Sequence, residues 1–325
     1  MSAKEIRRRK RRSVIFVCAF LLLVLAASFF IIKNANDLLA PRDMPKVIDT
    51  QLSASIDDRP DTKDYQTIVK KTSEIHQGQL ILVGKNNPYL FPKQNLASVY
   101  QAKSASYAVK DMTVLLDESV IPELNRMLDD FKSSQDVDDV LLLSGYRSKE
   151  DQQRVYGVKQ DETGEAEKWA SEPGKSEHHT GLAFDFSLNR GFGANREYTG
   201  KGKYRWISEN ACRYGFILRY PEEKSKVTGI SYEPWHFRYV GKPHAYLMAR
   251  KGICLEEYIE CIQTYRFGEK HLSVLDDEKH RYEIYYVKAS GETTQIPVPK
   301  THPYTISGDN DGGFIVTVSF DDKQS

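Results

Sequence analysis

Histidine is scarce in this chain, eight among 325 residues, yet three fall together with three carboxylates in two short segments, Ser176-Glu-His-His-Thr-Gly-Leu-Ala-Phe-Asp185 and Glu233-Pro-Trp-His236. An open catalytic zinc site takes three protein ligands of the His, Asp or Glu kind, leaves one position for water, and keeps a further carboxylate near by that is not a ligand. His178, Asp185 and His236 can fill the three places, and Glu233 the fourth role. Either segment alone reads as readily as a solvated histidine beside an acid. The two together favour the metal.

The elements that carry these residues fit the assignment. Leu182, Phe184, Phe186 and Leu188 alternate with Ala183, Asp185 and Ser187, which predicts a strand that turns its apolar side to a core and Asp185 toward a cleft. Gly181 permits a tight turn between the His178 loop and that strand. Pro234 forces Glu233 out of helical geometry, so a helical His-Glu-x-x-His site is excluded. Phe237 and Tyr239 alternate with His236, Arg238 and Val240, a second strand with His236 at its mouth.

A helix is predicted around Ile121, Leu124, Met127, Leu128 and Phe131, with Pro122 in its first turn. The apolar run 140–144 then reads as a short buried strand that delivers Arg147 to a loop. Ser148, with Asp151 three residues on, caps the helix that follows through Gln152, Gln153 and Val155. Arg147 therefore sits between a strand end and a helix start, a suitable place for a cation that holds a substrate carboxylate. Ser176, Gln152, Tyr232 and Arg219 are further candidates for substrate contact. A helix over about 204–214, a strand over 215–221, and helices over about 243–250 and 255–264 complete this part, and Leu80-Ile-Leu-Val-Gly84 is expected to be a strand at its start.

Residues 13–32 carry no charge over twenty positions, enough to cross a bilayer as a helix. Seven basic residues and one acidic residue stand between positions 4 and 12, which by the positive-inside rule keeps that end in the cytoplasm. The apolar run is too long for a signal peptide and lacks a small-residue cleavage motif, so we expect an uncleaved single-pass anchor with the remainder outside the cell. Removing the +6 of the first twelve residues from the formal +1 leaves the rest near −5, which argues against nucleic-acid binding. The four cysteines do not form a disulfide scaffold or a metal motif: Cys18 lies in the span, Cys254 and Cys261 are two helical turns apart and too far to bridge each other, and a bridge from Cys212 to either one stays open beside free thiols. The expected organisation is a basic tail (1–12), the anchor (13–32), a stalk (33–75), a catalytic domain (76–266) and an accessory β-rich region (267–325). Within the last, Asp309-Asn-Asp-Gly-Gly313 lacks the distal glutamate of a calcium loop and reads as a hairpin turn.

Three ordered motifs, Ser144-Gly-Tyr-Arg-Ser148, the Ser176 to Asp185 segment and Glu233-Pro-Trp-His-Phe-Arg-Tyr-Val-Gly241, resemble the signatures of VanY-type zinc D-alanyl-D-alanine carboxypeptidases, peptidase family M15. The resemblance spans about residues 77–264. It implies an α+β fold, a mainly antiparallel sheet with packed helices similar to the hedgehog signalling domain. It implies one catalytic Zn2+ on His178, Asp185 and His236, Glu233 as base, and Arg147 as the group that orients and polarises the substrate. The implied substrates are peptidoglycan stem peptides ending in D-Ala-D-Ala; an L,D-carboxypeptidase acting on tetrapeptide stems, or a wall-binding zinc module without turnover, are the alternatives. His179 falls at a variable position of the motif and is given no role.

Overall fold

In the computed structural model the described residues are 64–166, 170–189, 191 and 195–320. The tail, the span and most of the stalk read from the sequence lie outside them. Among the described residues no helix is long and apolar enough to cross a membrane.

The site rests on a sheet ordered Ala108–Val109, Val140–Ser144, Ala183–Asn189, His236–Tyr239, Phe216–Leu218, with Asn195–Glu197 paired to the strand Ala183–Asn189. Every pairing is antiparallel except that of Ala108–Val109 with Val140–Ser144. Sequence alternation explains its two faces. Leu182, Phe184, Phe186 and Leu188 enter one core with Phe216, Phe237 and Tyr239, where the rings of Phe184 and Phe216 meet edge to face at 5.4 Å. The helix Val120–Gln135 covers this face with Ile121, Leu124, Met127, Leu128 and Phe131, the five positions expected from its period. At roughly 1.5–3 kcal/mol for each large apolar side chain buried, this face dominates the energetics of the sheet. The opposite face carries Asp185, Ser187, His236 and Arg238, beside the buried apolar Leu141, Ala183 and Ile217.

The helix Lys149–Thr163 begins as predicted, with a capping box between Ser148 and Asp151. It runs on to Thr163, where Gly164 ends it in the left-handed conformation. The helices Lys242–Lys251 and Leu255–Ile262 lie close to their expected bounds. The segment over about 204–214 is one helix in three pieces, Gly202–Tyr204, Arg205–Asn210 and Ala211–Tyr214.

Residues 80–84 are a correction: they form no strand although Leu80, Ile81 and Val83 are buried. Their polar groups find other partners. The Leu80 N–H donates to Ser307 Oγ, the Leu82 N–H to the Asp309 carbonyl, and Arg238 donates to the carbonyls of Gln79 and Ile81. Buried backbone must be satisfied, but nothing requires the partner to be a ladder.

The C-terminal region is β-rich as expected, with a four-stranded sheet ordered Leu272–Leu275, Arg281–Lys288, Gly313–Ser319, Tyr304–Gly308. Its Asp309 turn closes a hairpin: one carboxylate oxygen accepts the N–H groups of Asp311, Gly312 and Gly313. A second correction concerns the stalk. Tyr65–Lys71, assigned to it from composition, is a strand paired along its whole length with Thr293–Pro299. Isolated polar sequence cannot reveal this, because the partner strand is more than two hundred residues away. Nor does the β region hang free, since Leu272, Val274, Ile284, Tyr286 and Ile315 share one core with Ala245, Met248, Tyr258 and Ile262. Among the described residues the three cysteines are free thiols.

His244 lies at this junction, its Nδ1 2.6 Å from the Tyr258 hydroxyl and its Nε2 2.9 Å from Thr317 Oγ1. Burial pushes the ring down to about 3 from its ordinary value. Between that value and about 6.5, the unfolded chain binds one more proton here than the folded one. The stability due to a neutral His244 is therefore complete above about pH 6.5 and is lost as pH falls, by up to about 1.4 kcal/mol per unit. Urea unfolding followed from pH 7 to pH 5 is expected to show this slope, and His244→Gln to reduce it by one proton; an unchanged slope in the variant would place the titrating group elsewhere.

Candidate active site

The metal-type residues meet through strand register. Asp185 stands opposite His236 on one neighbouring strand and opposite Ser144 on the other. His178 comes from the single turn Glu177–Thr180, which Ser176 caps by accepting the His178 N–H. Gly181 then reverses the chain at φ 71° into the Asp185 strand, and a Cβ there would stand 2.7 Å from Leu96 and 3.0 Å from the Asp117 nitrogen. The turn inferred from that glycine is what brings residues seven apart in sequence to one point.

One ligand atom from each of His178, Asp185 and His236 lies within 4.8 Å of the others, and all three residues are buried. Orientation is fixed from behind. His178 Nδ1 is 2.6 Å from the Gly145 carbonyl, which holds its proton on that nitrogen and leaves Nε2 facing Asp185 Oδ2 at 3.2 Å. Asp185 Oδ1 faces His236 Nδ1 at 2.9 Å. Burial, with Arg147 beside it, pushes the His178 ring down to about 4, so it is a neutral donor. Burial opposes ionisation of Asp185, but the two histidines and Arg147 hold its carboxyl well below the usual range. For His236 burial is outweighed by Asp185, Glu177 and Glu233, which carry the ring up to about 9. This point therefore favours positive charge. Two imidazoles and a carboxylate converging at such a point fit a borderline cation such as zinc.

Glu233 lines the same cavity of about 180 Å³. It is 7% exposed, and its Oε2 is 3.8 Å from His236 Nδ1. Burial pushes its carboxyl up to about 7, a range suited to moving protons near neutrality. Pro234 keeps it off any helix, as expected, and its N–H is tied to the Tyr220 carbonyl.

Arg147 lines the cavity with its guanidinium held on three sides: Nε donates to Ser144 Oγ at 3.0 Å, Nη1 to Gln152 Oε1 at 3.1 Å, and Nη2 to Asp185 Oδ2 at 2.6 Å. It is a fixed cation rather than a swinging one. Gln152, expected near the substrate, lines the cavity too, but both ends of its amide are engaged, the second with the Ser171 carbonyl. Its evident work is to hold Arg147. Ser176 also lines the cavity while capping the His178 turn. Tyr232 is 37% exposed and lies outside the cavity lining. Arg219 is 1% exposed and paired with Glu177 and Glu256, so it is not placed to touch substrate. His179 braces the loop, with Nδ1 on the Arg147 carbonyl and Nε2 accepting the Gly174 N–H.

Sequence reasoning missed Glu177. It stands beside a ligand within the motif, yet only the fold shows that it is buried and faces His236.

Comparison with known proteins follows the same residues. Residues 113–242 match the VanY family, described as D-alanyl-D-alanine carboxypeptidase. A D-alanyl-D-alanine carboxypeptidase of Enterococcus faecium is 36% identical over 250 residues, 75% of this chain and 76% of that protein. Another, from Enterococcus faecalis, is 30% identical over 259 residues, 75% of this chain and 89% of that protein. Among solved structures, the vancomycin resistance D,D-dipeptidase VanXYg, in complex with a D-Ala-D-Ala phosphinate analogue, gives a TM-score of 0.71 at 33% identity, covering 78% of this chain and 99% of that one.

Proposed function

Because the chain belongs to the VanY family of D-alanyl-D-alanine carboxypeptidases, an α+β fold of antiparallel sheet and helices, we propose that it removes the terminal D-alanine from peptidoglycan stem peptides with one bound zinc. The observation that carries this is the convergence of His178, Asp185 and His236 with an unligated buried carboxylate, Glu233, in a single cavity. A purely structural zinc would be closed by a fourth ligand.

His178 through Nε2, Asp185 through its carboxylate and His236 through Nδ1 would hold the metal. When bound, zinc lowers the pKa of a water toward neutrality and polarises the scissile carbonyl. Glu233 takes the proton of the attacking water and returns it to the departing amine of D-alanine. Arg147, fixed by Ser144, Gln152 and Asp185, places positive charge where negative charge grows on the substrate and offers a planar fork to a carboxylate. Burial of His178, Asp185, His236 and Glu233, with Arg147 half-buried beside them, keeps their electrostatics strong.

The reading extends to place. The uncharged span 13–32 and the basic residues before it support a single-pass anchor with the N-terminus in the cytoplasm and the catalytic part facing the wall. A reporter fused after residue 64 is expected to be active only outside the cell.

Purified protein offered pentapeptide and tetrapeptide muropeptides, with and without a chelator, tests the activity. Release of D-alanine from the pentapeptide alone, abolished by chelator and restored by zinc, is the expected result. Release from the tetrapeptide alone would make it an L,D-carboxypeptidase, and no release from either by zinc-loaded protein would sink the catalytic reading in favour of a wall-binding module.

A further inference from the structure

Around the ring nitrogen of His236 that is turned from Asp185 lies a buried ionic group that the reaction does not use, and one member of it, Glu177, also borders the cavity. Glu177 Oε1 accepts from Arg219 Nε at 2.8 Å and is 2.9 Å from Arg238 Nη1. Arg219 turns its two remaining nitrogens to Glu256, at 2.7 Å and 3.0 Å. The side chains of Glu177, Arg219 and Arg238 are each no more than 1% exposed. Such a group is costly. Buried ion pairs commonly stabilise a fold no better than apolar residues of the same shape, so stability alone is a poor reason for three interior charges.

The other oxygen of Glu177 supplies a better reason. Glu177 Oε2 and His236 Nε2 are both buried without a hydrogen-bond partner, and they face each other at 3.7 Å. The opposite ring nitrogen of His236, Nδ1, is the one turned to Asp185 and Glu233. A ligand histidine generally donates its other N–H to a carboxylate or carbonyl, which fixes its tautomer and orientation. His178 already has such a partner in the Gly145 carbonyl. Among the described residues, the carboxylate that faces His236 Nε2 is Glu177.

We propose that Glu177 is a positioning residue for His236, accepting a hydrogen bond from the Nε2–H so that Nδ1 is presented to the metal, and that Arg219 and Arg238 fix the carboxylate at that place. The inference rests on the metal reading of the site, and it deepens that reading by giving its third ligand a partner. Glu256, which grips Arg219 from the helix Leu255–Ile262, ties the arrangement to the junction with the C-terminal sheet.

The test is zinc affinity of the purified full chain, measured by competition with a chromophoric chelator, together with the visible spectrum of the cobalt(II)-substituted protein. Glu177→Gln is expected to weaken zinc binding by about 10- to 100-fold and to alter the cobalt spectrum, while KM at saturating zinc stays near that of the parent. If this variant does not fold, Glu177→Asp keeps the charge opposite the arginines but withdraws it from His236 by one methylene, and the same two readouts apply. Unchanged zinc affinity and an unchanged cobalt spectrum in a folded variant, even with lowered thermal stability, would reduce Glu177 to a structural role and overturn the proposal. A parent protein that binds zinc but releases no D-alanine would refute the carboxypeptidase reading alone. A parent protein that binds no zinc would remove the metal centre and this proposal with it.

Discussion

Glu233→Gln is expected to lower kcat by about 10³-fold, or about 4 kcal/mol of barrier, within the span that a positioned acid-base group supplies. Zinc should remain bound at parental affinity, because Glu233 is not among the three converging ligand residues. The substitution keeps shape and removes only the ability to carry a proton, so KM should change little. The sign of the pH effect follows from the same group. Burial raises the carboxyl to about 7 in the metal-free site, and a dication at the adjacent ligands draws it lower. Glu233 accepts a proton only when ionised, so kcat/KM falls as pH drops through its pKa. The variant should lose that acid limb and keep a low, flat rate. Turnover within tenfold of the parent would remove Glu233 from the role of base, and a loss of zinc would recast it as a ligand.

Most of this site was legible in the sequence for a particular reason. His178 with Asp185, and Glu233 with His236, fall in two short segments, and each sits beside a residue that fixes the local backbone: Gly181 for the turn, the alternating phenylalanines for the strand, Pro234 for the break. The core face was equally legible, since Phe184, Phe186 and Phe237 declare it by period two, and the helix Val120–Gln135 by period 3.6. What stayed hidden depends on partners far along the chain. Tyr65–Lys71 reads as linker because the strand that pairs with it is Thr293–Pro299. Residues 80–84 have strand composition but are held by Ser307, Asp309 and Arg238. Arg219 looked like a substrate contact because an arginine near a motif resembles one that binds anions; only burial shows that its anions are Glu177 and Glu256. Gln152 likewise proves to hold Arg147, a role that a pattern of spacing cannot express.

Asp185→Asn should be the most damaging single change to the metal centre, and its effect separates from that of Glu233→Gln by losing zinc as well as rate. Asp185 is the one carboxylate among the three converging residues, and it also contacts Arg147 Nη2 at 2.6 Å. An amide keeps the shape but not the charge, and it is a weak ligand for zinc. We expect zinc affinity to fall by at least about 100-fold and activity at equimolar zinc to reach background. Excess zinc should restore part of the occupancy but little of the rate, because Arg147 would then lack the carboxylate that aims it. Thermal unfolding gives an independent measure. Metal that binds only the folded state stabilises it by about 2.7 kcal/mol at a hundred times its Kd. At that same zinc concentration a hundredfold weaker site yields only about 0.4 kcal/mol by the same relation. The metal-free proteins are a poor comparison, since removing the carboxylate both frees Arg147 from its partner and abolishes the cost of burying the charge. The zinc-dependent rise in Tm is the informative quantity, large in the parent and nearly absent in Asp185→Asn. A variant that keeps the full rise would show that His178 and His236 hold the metal without Asp185.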